Sequence, residues 1–137
     1  MSSLTLFLAF CVALLAACVG AAPTGSVDLR RSTTYSGQGT YFSPGLGACG
    51  ETSSSKDLIV AVGHERFDDY PGATSNPNDN PICGKKITAH YGSKSVTVKV
   101  VDRCTGCGKD DLDFSPSAFS KLAAQSKGRI DITWEYS

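Results

Sequence analysis

The sequence predicts an all-β domain: five or six short strands closed into a small barrel and stapled by two disulfides. Three observations predict it. Val96, Val98 and Val100 alternate with Thr97 and Lys99, and Ile130, Ile132, Trp134 and Tyr136 alternate with Asp131, Thr133 and Glu135. A period of two is that of a strand with one buried face. Leu58-Ile59-Val60-Ala61-Val62 is a continuous apolar run between Asp57 and Gly63, which suits a strand buried on both faces. Finally, four cysteines follow the N-terminal apolar segment, an even count of the kind that staples small secreted domains. Closing the sheet leaves no exposed strand edge, which matters for an all-β chain of this size.

The N-terminal segment comes first. Leu4 to Val19 is apolar apart from Thr5, too short for a comfortable membrane span. Val19-Gly20-Ala21 fits the small-x-small pattern of signal cleavage, so residues 1–21 read as a secretory signal and the protein as extracellular. Residues 22–31 read as a short linker or propeptide ending in Arg30-Arg31, either a dibasic processing site or a solvated arginine pair. Leu15-Ala16-Ala17-Cys18 also matches a lipobox, but no Lys or Arg precedes it. Residues 32–137 form the domain.

Thr33 to Phe42, rich in Thr and Tyr, reads as a strand in which Gly37 and Gly39 mark a bulge or a close backbone approach. Ser43 to Lys56 is a Gly- and Ser-rich loop before the apolar run. Gly63 to Pro81 holds three prolines and no periodicity, so a long irregular loop is expected there. Lys86 to Tyr91 and the valine strand form a hairpin around Gly92-Ser93. Asp102 to Asp111 reads as another loop. Ser115 at N-cap and Pro116 at N1 start a short helix over 118–124, with Gly128 as its stop. The last strand follows, with Trp134 in its core-facing register.

A net charge of zero and a charged fraction of 19% give no basic patch for nucleic acid or a membrane surface. With Cys11 and Cys18 removed, Cys49, Cys83, Cys104 and Cys107 allow three pairings, of which Cys49–Cys83 with Cys104–Cys107 is favoured. The first would close a loop of about 35 residues and contribute roughly 4 kcal/mol in the chain-entropy model, the second roughly 2 kcal/mol. His64 and His90 lack metal-ligand spacing, and one close cysteine pair does not make a zinc site. Neither metal nor cofactor is expected, and the domain is expected to be a monomer.

Two segments carry chemistry. One is Gly39-Thr40-Tyr41-Phe42. The other runs from Val101-Asp102-Arg103-Cys104 to Asp111-Leu112-Asp113-Phe114-Ser115-Pro116. In content and order they resemble the barrel signature of expansins, barwin-type proteins and rare-lipoprotein-A-like proteins, over roughly residues 35–137. Single-domain fungal expansin-like proteins, the loosenins, are the most similar in layout. The resemblance implies a six-stranded double-psi β-barrel with one or two short helices. It implies that Asp113 occupies the place of the family's essential aspartate, a catalytic acid in related inverting endoglucanases and otherwise a sugar-binding carboxylate. Asp102, Thr40 and Tyr41 match residues of the same groove, and Cys104 stands where bacterial expansins carry a groove tyrosine. Phe67 and Tyr70, in the long loop, are further candidates for stacking on sugar rings.

Apolar neighbours Leu112 and Phe114 raise the pKa of Asp113 by desolvation, while a following helix N-terminus lowers it; the sequence leaves the balance open. Inverting hydrolysis needs a second carboxylate about 6.5–9.5 Å away. In the related endoglucanases it follows the N-terminal Tyr strand, where this chain has Phe42, Ser43 and Pro44. The expectation is therefore a secreted protein that binds and loosens wall polysaccharide (cellulose, chitin or peptidoglycan) without hydrolysis. Two alternatives stand beside it: a cysteine-protease inhibitor or host-interaction protein, and a glycan-cleaving enzyme of the lytic transglycosylase type.

Overall fold

The computed structural model describes Gly20 and residues 33–137. Apart from Gly20, residues 1–21, read from the sequence as a secretory signal, lie outside the described residues, as do Arg30 and Arg31. All described elements fall in the unit Arg31–Ser137. They are β1 (Tyr35–Tyr41), β2 (Ile59–Gly63), α1 (His64–Asp68), β3 (Lys86–Tyr91), β4 (Lys94–Cys104), β5 (Leu112–Phe114), α2 (Pro116–Leu122) and β6 (Ile130–Tyr136). Single 3₁₀ turns cover Pro77–Asp79 and Gln125–Lys127.

The six strands close a barrel in the order β1-β5-β2-β4-β3-β6. Pairs β1–β5 and β2–β4 are parallel and the other four antiparallel. This is the double-psi arrangement that the resemblance implied. The alternating residues face inward as their period requires: Val96, Val98, Val100, Ile130, Ile132 and Trp134 are all buried. Every residue of β2 is buried, as the apolar run predicts from Ile59 onward, whereas Leu58, expected in the same strand, precedes it and is 42% exposed. Helix α2 closes the core with Phe119 and Leu122, and α1 adds Phe67. Among the described residues no helix is long and apolar enough to cross a membrane.

Gly37 is a close-approach position. A Cβ there would lie 2.0 Å from the Asp110 carbonyl oxygen. That oxygen accepts a hydrogen bond from the buried Trp134 Nε1 at 2.8 Å, so the glycine lets the segment before β5 cross β1 and pin the core indole.

Several local expectations are corrected. The loop expected from Asp102 begins three residues later, at Thr105, because β4 runs to Cys104 and pairs first with β3 and then with β2. Leu112–Phe114, given no element of its own by the sequence pattern, is a strand; three residues are too few to show a period. The stretch Gly63–Pro81 opens with a helix that no side-chain cap announces. Ser115 does cap α2, its Oγ accepting from Ala118 N at 3.2 Å. The helix nevertheless ends at Leu122, where Ala123 turns extended, and Gly128, at φ 67°, ends the following 3₁₀ turn instead. Both favoured disulfides form. Cys49–Cys83, with Cα atoms 5.7 Å apart, ties the loop after β1 to the entry of β3. Cys104–Cys107 closes the turn leaving β4.

Candidate functional site

The strand registers place the chemistry. Leu112 and Phe114 of β5 point into the core, so Asp113 between them points outward. Asp113 stands opposite Thr40 on β1 and Ala61 on β2, and Ala61 stands opposite Asp102 on β4. Thr40, Asp113, Ala61 and Asp102 therefore form one outward row across four neighbouring strands, about 14 Å long at the usual strand spacing. Ala61 stands between the two aspartates in the row and is itself covered, at 2% exposed.

Within the row, Thr40 Oγ1 donates to Asp113 Oδ1 at 2.8 Å. Asp113 Oδ2 lies 4.0 Å from Cys104 Sγ. That sulfur is in a disulfide and has no proton to give, so this carboxylate oxygen is free to accept from a ligand. Burial raises the Asp113 pKa above the ordinary carboxylate value, and the nearby Asp102 charge raises it further; the Thr40 hydroxyl and Arg129 pull the other way and do not prevail. The balance that the sequence left open thus falls to desolvation. Cys104, Cys107 and Asp113 carry donor atoms within 4.8 Å of one another, but both sulfurs are bonded to each other and neither is a free thiolate ligand.

Asp102 has a different occupation. Its Oδ1 accepts from Ala48 N and Arg103 N, both at 2.8 Å. It thereby fixes the turn at Gly47, where a Cβ would meet the Val101 carbonyl oxygen at 2.3 Å. Asp102→Ala should cost about 2 kcal/mol, the range for bonds to a charged acceptor, and Asp102→Asn, which keeps an acceptor oxygen, clearly less. Urea melts of the two variants check this; equal losses would show that the two amide bonds do not matter.

Tyr41 ends β1 beside the row. Its ring packs on Phe119 with centroids 4.9 Å apart, its hydroxyl donates to Gln125 O at 3.0 Å, and it is 37% exposed. At the other end the loop held by Asp102 presents Leu46, 75% exposed.

The two loop aromatics are not part of this row. Phe67 is 2% exposed, the single buried residue of α1, and has no face to offer a sugar; the stacking role expected of it is withdrawn. Tyr70 packs beside Tyr136, ring centroids 6.1 Å apart, in a separate aromatic cluster. Conversely, Arg129 acts on Asp113 and donates to Gln38 Oε1 at 2.7 Å. Nothing in the sequence singles it out, because it precedes β6 outside either motif.

A family model described as lytic transglycolase matches residues 34–134. A papain inhibitor from Streptomyces mobaraensis is 35% identical over 135 residues, which cover 90% of this chain and 88% of that protein. The solved structure of a Streptomyces papain inhibitor is similar with a TM-score of 0.69 at 31% identity, covering 76% of this chain and 94% of that one. An Asp-to-Asn variant of an expansin from Clavibacter michiganensis, solved in complex with cellohexaose, gives a TM-score of 0.62 at 27% identity, over 77% of this chain and 50% of that one.

Proposed function

The chain belongs to the lytic-transglycolase family of double-psi β-barrels, and from that premise we propose that it is an extracellular protein that binds wall polysaccharide along the Thr40–Asp113–Asp102 row and loosens it without hydrolysis. The observation that carries the reading is the half-buried Asp113, oriented by Thr40 through one oxygen, with no N–H or O–H donor among the described residues on the other. The similarity to an expansin solved with cellohexaose supports a glucan or a related β-linked glycan as ligand. Two disulfides fit an oxidising, extracellular setting.

In this reading Asp113 Oδ2 accepts a sugar hydroxyl and Thr40 holds the carboxylate still. A charged acceptor contributes about 1.5–3 kcal/mol per bond. Tyr41 and Leu46 supply apolar contact at the two ends. Binding that favours a twisted stretch of one chain weakens its contacts with neighbouring chains. Hydrolysis would need a base to activate water. Asp102 lies two strand positions from Asp113, about 10 Å by strand spacing, and its Oδ1 is committed to the Gly47–Cys49 turn. We therefore expect no steady release of reducing ends from amorphous cellulose or chitin. Release that Asp113→Asn abolishes would make the protein an enzyme and overturn this part of the reading.

A second reading has its own support. The papain inhibitor matches nearly the full length of this chain. Inhibition of a cysteine protease would use a protein-facing loop rather than the carboxylate row. It predicts that nanomolar protein inhibits papain and that Asp113→Asn inhibits equally well; no inhibition at micromolar protein removes it.

A further inference from the structure

The outward row continues one strand beyond Thr40. β1 and β6 pair in a register that places Gln38 opposite Asp131 and Gly39 opposite Ile130. One step further, the same register sets Arg129 opposite Thr40. Ile130 is buried in the core, so Arg129 beside it leaves the barrel on the outer side, where Thr40 and Asp113 stand. Arg129 is exposed, and its Nη1 donates to Gln38 Oε1 at 2.7 Å. Gln38 in turn donates from Nε2 to Asp131 Oδ1 at 3.3 Å. The amide thus stands between Arg129 and the carboxylate nearest to it in sequence. None of the four ion pairs among the described residues includes Arg129; Asp113 instead feels its charge. A guanidinium carries five N–H donors, and Gln38 uses one. The rest are exposed at the Thr40 end of the row.

We propose that Arg129 is a second ligand-binding residue of the Asp113 site, donating to an oxygen of the same sugar unit whose hydroxyl Asp113 accepts. The inference rests on the reading of this row as a polysaccharide site. Arg129 and Asp113 are two strand positions apart, about 10 Å at the backbone. Two hydrogen bonds of about 2.8 Å with the edge of a pyranose between them fit that span. Both bonds are charge-assisted and stronger than the neutral kind. The pair also sets the class of ligand. The charges of Asp113 and Arg129 cancel, and a sugar acid at Arg129 would bring its own carboxylate against Asp113, where like charges repel. The site therefore selects a neutral glycan unit carrying a donor hydroxyl next to an acceptor oxygen, and disfavours a uronide of the same length. Gln38 is a positioning residue: it holds the guanidinium over β1 and away from Asp131.

The test is a calorimetric titration of the disulfide-intact domain at pH 7 with cellohexaose, chitohexaose and hexagalacturonate. It is run in wild type, Asp113→Asn, Arg129→Ala, Arg129→Lys and the double variant Asp113→Asn with Arg129→Ala. One neutral hexaose should bind wild type, and the uronide should bind at least tenfold more weakly. Arg129→Ala should weaken the neutral hexaose about tenfold, the scale of one charge-assisted bond. Its Tm should stay close to that of wild type, because the side chain is exposed. Arg129→Lys keeps the charge but not the planar fork and should recover only part of the loss. The double variant should lose less than the product of the two single losses, since both groups hold one sugar. Full affinity in Arg129→Ala would overturn the proposal. So would full recovery in Arg129→Lys, which would leave Arg129 no role but its charge on Asp113. Tighter binding of the uronide would make Arg129 an anion site and overturn it too. If Asp113→Asn weakens binding and Arg129→Ala does not, the polysaccharide site stands without this residue. If no hexaose binds, or Asp113→Asn binds as tightly as wild type, the site itself is lost and the proposal with it.

Discussion

Asp113→Asn should bind polymer ten- to a hundredfold more weakly at pH 7 while melting at the same temperature as wild type or higher. The loss follows from removing a charged acceptor, since 1.4 kcal/mol is tenfold in affinity. The stability gain follows from burial. The folded protein raises the Asp113 pKa, so ionising this group is harder in the fold than in the unfolded chain. Its contribution to stability is complete below the unfolded carboxylate value of about 3.9 and is lost as pH rises through the folded value. Asparagine stays neutral throughout and can still accept the Thr40 hydrogen bond. The melting advantage of Asp113→Asn should therefore be present at neutral pH and close as pH falls into the acid range. Thermal melts at pH 3 and pH 7 check the sign; a variant that is destabilised at pH 7 would mean that Asp113 is a structural carboxylate. A group that costs stability in its functional charge state is expected at a binding site.

The two disulfides should separate stability from binding. Substituting Cys49 and Cys83 together by serine releases a long loop and should cost about 4 kcal/mol. That is a fall in Tm on the order of 20 °C for a domain of this size. Substituting Cys104 and Cys107 should cost about 2 kcal/mol, yet weaken polymer binding more, because this bridge sets the end of β4 and packs against Asp113 Oδ2. Melting curves and binding isotherms on the same two variants decide it. A larger binding loss from the Cys49–Cys83 pair would show that the Cys104–Cys107 turn does not shape the site.

What the sequence revealed depended on how much chain each feature occupies. The hairpin β3–β4 and strand β6 carry enough residues for the period of two to emerge, and β2 shows the unbroken run of a doubly covered strand. β5 has three residues and α1 five, too few for either period, and α1 starts at Gly63 with no capping side chain. The close crossing at Gly37 was legible as a glycine in a strand, but its partner, Asp110, was not. In the candidate site, Thr40 and Asp113 came from motif resemblance, and parallel pairing of β1 with β5 brings them into contact. Asp102 came from the same motif but spends one oxygen on the Gly47–Cys49 turn. Phe67 was misplaced because an aromatic residue in a Pro-rich stretch gives no sign of the helix that turns it inward. Arg129 was missed because its effect on Asp113 depends on barrel closure, which no local pattern encodes.

The most direct test of the central claim is a depletion isotherm of the domain on insoluble cellulose, chitin and peptidoglycan, run with wild type and Asp113→Asn. Saturable binding of wild type to one of these polymers, weakened at least tenfold in Asp113→Asn, is the predicted result and names the ligand. Equal binding of the two proteins, or none to any polymer, would contradict a polysaccharide site at Asp113.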